Sequence, residues 1–216
     1  MKIGILGTGM VGNTIGSKLI QLEHEVKMGS RTASNEKAAA WVKANGTKAS
    51  QGTFADAASF GEIIFNCTAG GVSIDVLKTA GTENLNGKIL IDVANPLDHS
   101  KGSPPGLLPG LSNTTSLGEE IQKTFPTLKV VKTLNTMNCN LMVNASSLKG
   151  EHDVFICGND NEAKIKAKEV LGWFGWQSPI DLGDISAARG TEMILPLWIH
   201  LCSTLHTATF NFKIVK

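Results

Sequence analysis

The chain has 216 residues, 42% hydrophobic and 18% charged, with a net charge of +1. That balance supports a packed core and excludes a disordered chain, and the lack of any basic stripe argues against a nucleic-acid partner. No window reaches the roughly 18 apolar residues needed to cross a bilayer, so no membrane partner is expected.

Met1-Lys2 leads straight into the strand-like "IGIL", which reads as a start without a secretory leader. The four cysteines, Cys67, Cys139, Cys157 and Cys202, form no CxxC pair. Free thiols in a cytoplasmic protein are expected, with no metal site.

In chain order, "KIGIL" predicts a buried strand and "MVGNTIGSKLIQLE" a helix. "HEVKMG" is a second strand, and the Ala-rich "NEKAAAWVKANG" is a helix stopped at Gly46. Further strands are "EIIFNCT", "KILIDVA", "LKVVKTL", "DVFICG" and "QSPIDLG". Helices fit "GVSIDVLKTA", "SLGEEIQKTF", "NEAKIKAKEVLGWF" and the final apolar stretch from Ile185. Ser116 and Glu119 are spaced as a capping box.

Apolar strands alternating with helices predict an α/β fold, a Rossmann-type doubly wound, mainly parallel sheet. Residues 1–150 are expected to form the nucleotide-binding domain. Residues 151–216 are expected to form a small C-terminal α/β extension packed on it, continuous with it or separate. Residues 95–115 hold four of the seven prolines and read as a functional loop beyond a strand end.

"GTGMVG" places Gly7, Gly9 and Gly12 in G-x-G-x-x-G spacing, with Thr8, Met10 and Val11 between them. It follows a strand and opens a helix, the context that a dinucleotide site requires. The first glycine permits the turn, the second admits a pyrophosphate, and the third lets the helix lie on the strand. A flavin or S-adenosylmethionine site on the same fold is the alternative.

An NAD site places a carboxylate about 20 residues on. Here Ser30 and Arg31 stand 18 and 19 positions after Gly12, and Lys37 follows. A carboxylate would repel a 2′-phosphate. A guanidinium pairs with it, the serine can donate a hydroxyl, and the lysine adds charge. NADP(H) is therefore expected.

Three strand-end segments supply small and amide residues to the cleft: "NCTAGG" with Thr68, Ala69 and Gly70, "VANPLD" with Asn95 and Pro96, and "TLNTMN" with Asn135 and Thr136. The chain has no tyrosine, so no Tyr-x-x-x-Lys acid/base pair exists. His200 and His206 fall on the apolar final helix and are expected as core or interface residues. No protein acid or base is expected, which suits hydride passage to a flavin-like ring better than carbonyl chemistry.

The N-terminal segment to Arg31, together with "VVKTLNTMN", "DVFICGNDNEAK" and "DLGDISAARGTEMI", resembles the F420-dependent NADP oxidoreductase family. The cytosolic domain of the STEAP-type metalloreductases is similar to the same family. The resemblance implies a Rossmann core, NADP(H) as the nucleotide, a homodimer, and a small-molecule acceptor. The residues from Gly7 to Val11 match the family's pyrophosphate loop, and Ser30, Arg31 and Lys37 its 2′-phosphate grip. Thr68, Ala69, Asn95 and Pro96 fall on the nicotinamide side. The activity implied is hydride transfer between NADPH and coenzyme F420 or a flavin. The alternatives are a flavin-mediated ferric or cupric reductase and a non-catalytic NADP(H)-sensing protein.

Overall fold

The computed structural model describes residues 1–100 and 102–216. Its first five strands are β1 (Lys2–Leu6), β2 (Glu25–Ser30), β3 (Ala49–Thr53), β4 (Ile63–Asn66) and β5 (Ile89–Asp92). They are followed by β6 (Leu97–Asp98), β7 (Gly106–Leu107), β8 (Lys129–Thr133), β9 (Phe155–Gly158) and β10 (Ile180–Asp181). The helices are α1 (Met10–Gln21), α2 (Glu36–Asn45), α3 (Phe54–Phe60), α4 (Ser73–Ala80) and α5 (Thr82–Leu85). Beyond them come α6 (Leu117–Thr124), α7 (Cys139–Met142), α8 (Asn161–Trp173), α9 (Ala188–Met193) and α10 (Leu195–Leu205).

Eight strands share one sheet in the order β10-β9-β8-β5-β4-β1-β2-β3. From β3 across to β8 every pairing is parallel. The order 3-2-1-4-5, continued by β8, is that of a Rossmann-type doubly wound fold. The last two strands, β9 and β10, are parallel to each other, but β9 runs antiparallel to β8. The β8–β9 connection holds the single turn of α7 and a 3-10 turn at Ala145–Ser147, with no longer helix between the two strands.

The central strands are apolar because both of their faces are covered. Ile15, Leu19, Trp41, Leu171 and Phe174 from α1, α2 and α8's end pack one face. Leu77, Ile121 and Ala188 from α4, α6 and α9 pack the other.

β3 and α3 are among the elements that escape the periodic reading of the sequence. β3, "ASQGT", is an edge strand with little apolar content. α3 follows it directly, started by a full capping box between Thr53 and Asp56. At α6, Ser116 Oγ does accept from Glu119 N–H at 3.1 Å. The Glu119 carboxylate does not return to the backbone, however. It holds the Ser116 hydroxyl at 2.8 Å and the Arg189 guanidinium.

The 95–115 segment is less irregular than its composition suggests. β6 and β7 pair antiparallel within it. After α10, the chain returns to the sheet as an extended tail. Asp153 N–H donates to Phe212 O at 2.9 Å, and Ile214 N–H donates to Asp153 Oδ2 at 2.6 Å. Among the described residues, no helix is long and apolar enough to cross a membrane.

Candidate active site

The loop between β1 and α1 has the geometry of a phosphate cradle. Gly7 has φ 117°, and a Cβ there would lie 2.7 Å from Cys67 O. A Cβ on Gly12 would lie 2.3 Å from Gly7 O, so the helix can sit this close only with glycine. Gly9 differs: it caps α1 in extended conformation, and a Cβ there would meet nothing within 4 Å. The space above Gly9 is open, as close approach of a ligand's phosphates to the backbone would require. No side chain caps α1 and its first turn carries no acid, which leaves its N–H groups and positive dipole end to a ligand.

β2 delivers Ser30 and Arg31 to the same edge. Arg31 is exposed, as is Lys37 in the first turn of α2. Ser30 is buried, and its hydroxyl donates to Thr32 O at 2.6 Å. That proton closes the local turn, so Ser30 presents a lone pair here and not the donor expected from the sequence.

Beyond the loop lies a cavity of about 560 Å³. Met10 and Val11 line it from the start of α1, and Thr68 and Ala69 from the end of β4. Ala94, Asn95 and Asn135 line it from the ends of β5 and β8. The two amides are locked together. Asn95 Nδ2 donates to Asn135 O at 2.8 Å, and Asn135 Nδ2 to Asn95 Oδ1 at 2.9 Å and Thr191 O at 2.9 Å.

The other sequence-derived positions play different parts. Thr8 is partly buried within the loop. Gly70 N–H donates to Asn95 O at 3.1 Å, and Pro96 O accepts from Leu108 N–H at 2.8 Å, so both support the wall. Thr136 is not brought into the cavity. It is buried against a separate small hollow with Phe155, Leu182 and Ile194. Beside it, Asn135 takes the cavity side.

The remaining walls were read from the sequence only in part. Leu97 and His99 come from the 95–115 segment, Met137 to Asn140 from the start of α7, Leu195, Trp198 and Ile199 from α10, and Ala208 and Thr209 from the tail. Leu97, Met137 and Asn138 fall in the strand-end segments named from the sequence and His99 in the 95–115 loop, and the apolar character of the final helix signalled its part; Cys139, Asn140 and the tail carried no such signal. His200 and His206, read as core or interface, are both exposed. Cys67 lines the cavity, but burial and the Asp92 charge push its thiol far up, so it is no thiolate. Cys157 is likewise pushed up by burial, to about 12.

Beneath the cavity, the last residues of β4 and β5 and their neighbour on β8 form a polar ladder. Asn66, Asp92 and Lys132 are partners in register. Lys132 Nζ lies 2.8 Å from Asp92 Oδ2 and 2.8 Å from Glu192 Oε1, all of them fully buried. Burial alone would lower the Lys132 ammonium, but the two carboxylates raise it above its ordinary value. Glu192 also accepts from Leu117 N–H at 2.8 Å and Gly118 N–H at 3.1 Å, at the start of α6.

Residues 2–96 match the family described as NADP oxidoreductase, coenzyme F420-dependent. The chain is 50% identical to a crystal structure of a provisionally named F420-dependent NADP reductase from Arthrobacter sp. FB24, with TM-score 0.93 and full coverage of both chains. It is 28% identical to the F420-dependent NADP reductase of Methanocaldococcus jannaschii, over 93% of this chain and 92% of that one. It is 31% identical to the rat metalloreductase STEAP3 over 91% of this chain, but spans only 38% of that protein's length.

Proposed function

The chain belongs to the F420-dependent NADP oxidoreductase family and is an NADP-dependent oxidoreductase, and from that premise we propose that it exchanges hydride between NADPH and a deazaflavin or flavin ring held in the cavity beneath α10. The observation that carries this is the continuity of one space from Met10 and Val11, at the phosphate loop, to Leu195 and Trp198 on the far wall. NADPH supplies the hydride when bound. The residues do the rest: the Gly9 loop and the α1 N-terminus seat the pyrophosphate, and Arg31 and Lys37 face the 2′-phosphate. The locked Asn95–Asn135 pair and Thr68 orient the nicotinamide side. The apolar wall of Leu195, Trp198 and Ile199 excludes water and favours a flat ring acceptor.

The assembly proposed is a homodimer. α10 leaves Leu197 and Leu205 half-exposed beside Met193, and an isologous partner would cover that face. The likeness to STEAP3 supports a second reading, in which reduced flavin passes electrons on to ferric or cupric ion.

One assay tests both. Purified protein is given NADPH with deazaflavin, FMN or FAD in turn, with and without a ferric chelate. Nucleotide oxidation by ring acceptors alone is the expected result. Oxidation that requires the metal favours the second reading, and none with any acceptor sinks both.

A further inference from the structure

Thr68 lines the cavity just beyond the end of β4. The side chains behind it fix the direction of every hydrogen bond that its hydroxyl makes. Asn66 meets Asp92 Oδ1 at 2.8 Å, and Lys132 holds the other Asp92 oxygen at 2.8 Å. A carboxylate paired in this way only accepts, so the Asn66 atom facing it is Nδ2. Asn66 Oδ1 therefore faces Thr68. Thr68 N–H points at that same oxygen, at 3.3 Å.

An amide oxygen has no proton to give. The 2.7 Å contact between Thr68 Oγ1 and Asn66 Oδ1 is thus a donation by Thr68. The second Asn66 N–H goes to Ser73 Oγ at 3.1 Å. Thr68 and Ser73 are 2.8 Å apart, and with the Thr68 proton already used, Ser73 is the donor, its proton shared with the more distant Ala69 O at 3.3 Å. Thr68 Oγ1 is left with one lone pair and no proton. Asn66, Ser73 and Asp92 have no exposed surface and Lys132 has 1%, so water does not scramble this order.

We propose that Thr68 Oγ1 is an acceptor-only contact that selects a ring ligand presenting an N–H. Lys132, Asp92 and Asn66 set its polarity as positioning residues. The N–H has two possible sources: the carboxamide of the nicotinamide and the ring imide of the hydride acceptor. This inference rests on the cofactor reading given above.

Equilibrium binding of two ligand pairs tests it. The first pair is NADPH and its acetylpyridine analogue, in which a methyl replaces the carboxamide –NH2. The second is riboflavin and 3-methylriboflavin, measured with NADP present. Wild-type protein should prefer the N–H member of at least one pair. Thr68→Val should erase that preference, by about fivefold or more, and Thr68→Ser should keep it. The pair that responds identifies the source. Each preference is a ratio within one variant, so general damage to the fold cancels. Ratios unchanged by Thr68→Val in both pairs overturn the inference. Failure of the wild type to bind NADPH would overturn the cofactor reading instead.

Discussion

Asp92 and Lys132 stand opposite each other in the register of β5 and β8, and their side chains meet at 2.8 Å with no exposed surface on either. Glu192 reaches the same ammonium from α9. The helix that leads into the cavity's apolar wall is therefore tied by charge to the strands that form its floor. Removing the lysine leaves two buried carboxylates without their counter-charge. Lys132→Met should cost about 3–5 kcal/mol of stability, read as a fall in the urea midpoint at unchanged slope. An effect below 1 kcal/mol would mean that the triad is not intact in solution.

Two groups give the pH dependence its signs. Burial alone would raise the Asp181 carboxyl, but Gly183 N–H and the Lys168 and Lys164 ammoniums outweigh it and hold it at about 2. A depressed acid contributes stability above its unfolded value of 3.8 and loses it as pH falls towards 2. Lys132 behaves oppositely. Its contribution is complete below the ordinary value of 10.5 and is lost as pH rises through the raised folded value. Thermal melts between pH 4 and 2 should fall less steeply in Asp181→Asn than in the parent.

Arg31→Ala should weaken NADPH binding by about 10- to 150-fold, the worth of one charge-assisted hydrogen bond of roughly 1.5–3 kcal/mol. NADH binding should change far less. Isothermal titration with both nucleotides checks this, and equal losses would remove Arg31 from the 2′-phosphate site.

Gly9→Val should leave the circular dichroism spectrum unchanged, because a Cβ there meets no protein atom within 4 Å. Nucleotide binding should disappear, because the same Cβ occupies the phosphate space. Retained binding by the folded variant would move the pyrophosphate elsewhere.

The half-exposed leucines of α10 predict a dimer of 22.9 kDa chains. Light scattering at micromolar concentration should report twice the chain mass. Leu197→Glu should halve it by placing a charge in the contact. A parent that already scatters as a single chain would rule the contact out.

Local chemistry determined much of this from the sequence alone. The glycine spacing specified the phosphate loop because its requirements lie within one turn: a positive φ at Gly7 and a 2.3 Å approach of a Gly12 Cβ to Gly7 O. The apolar runs of β1, β4, β5 and β8 specified a sheet covered on both faces. Tertiary structure alone decided the rest. Asn66, Asp92 and Lys132 read as isolated polar interruptions in three strands. Only the sheet order sets them side by side, and Glu192 arrives from a helix far along the chain. Asn135 and Thr136 were indistinguishable as candidates, yet the backbone after β8 gives one to the cavity and the other to a separate hollow. The cavity's far wall comes from α10 and the tail, whose residues carry no local signal of where they fold back. Burial of an apolar segment is non-directional, so hydrophobicity shows that a helix seeks a surface and not which surface it finds.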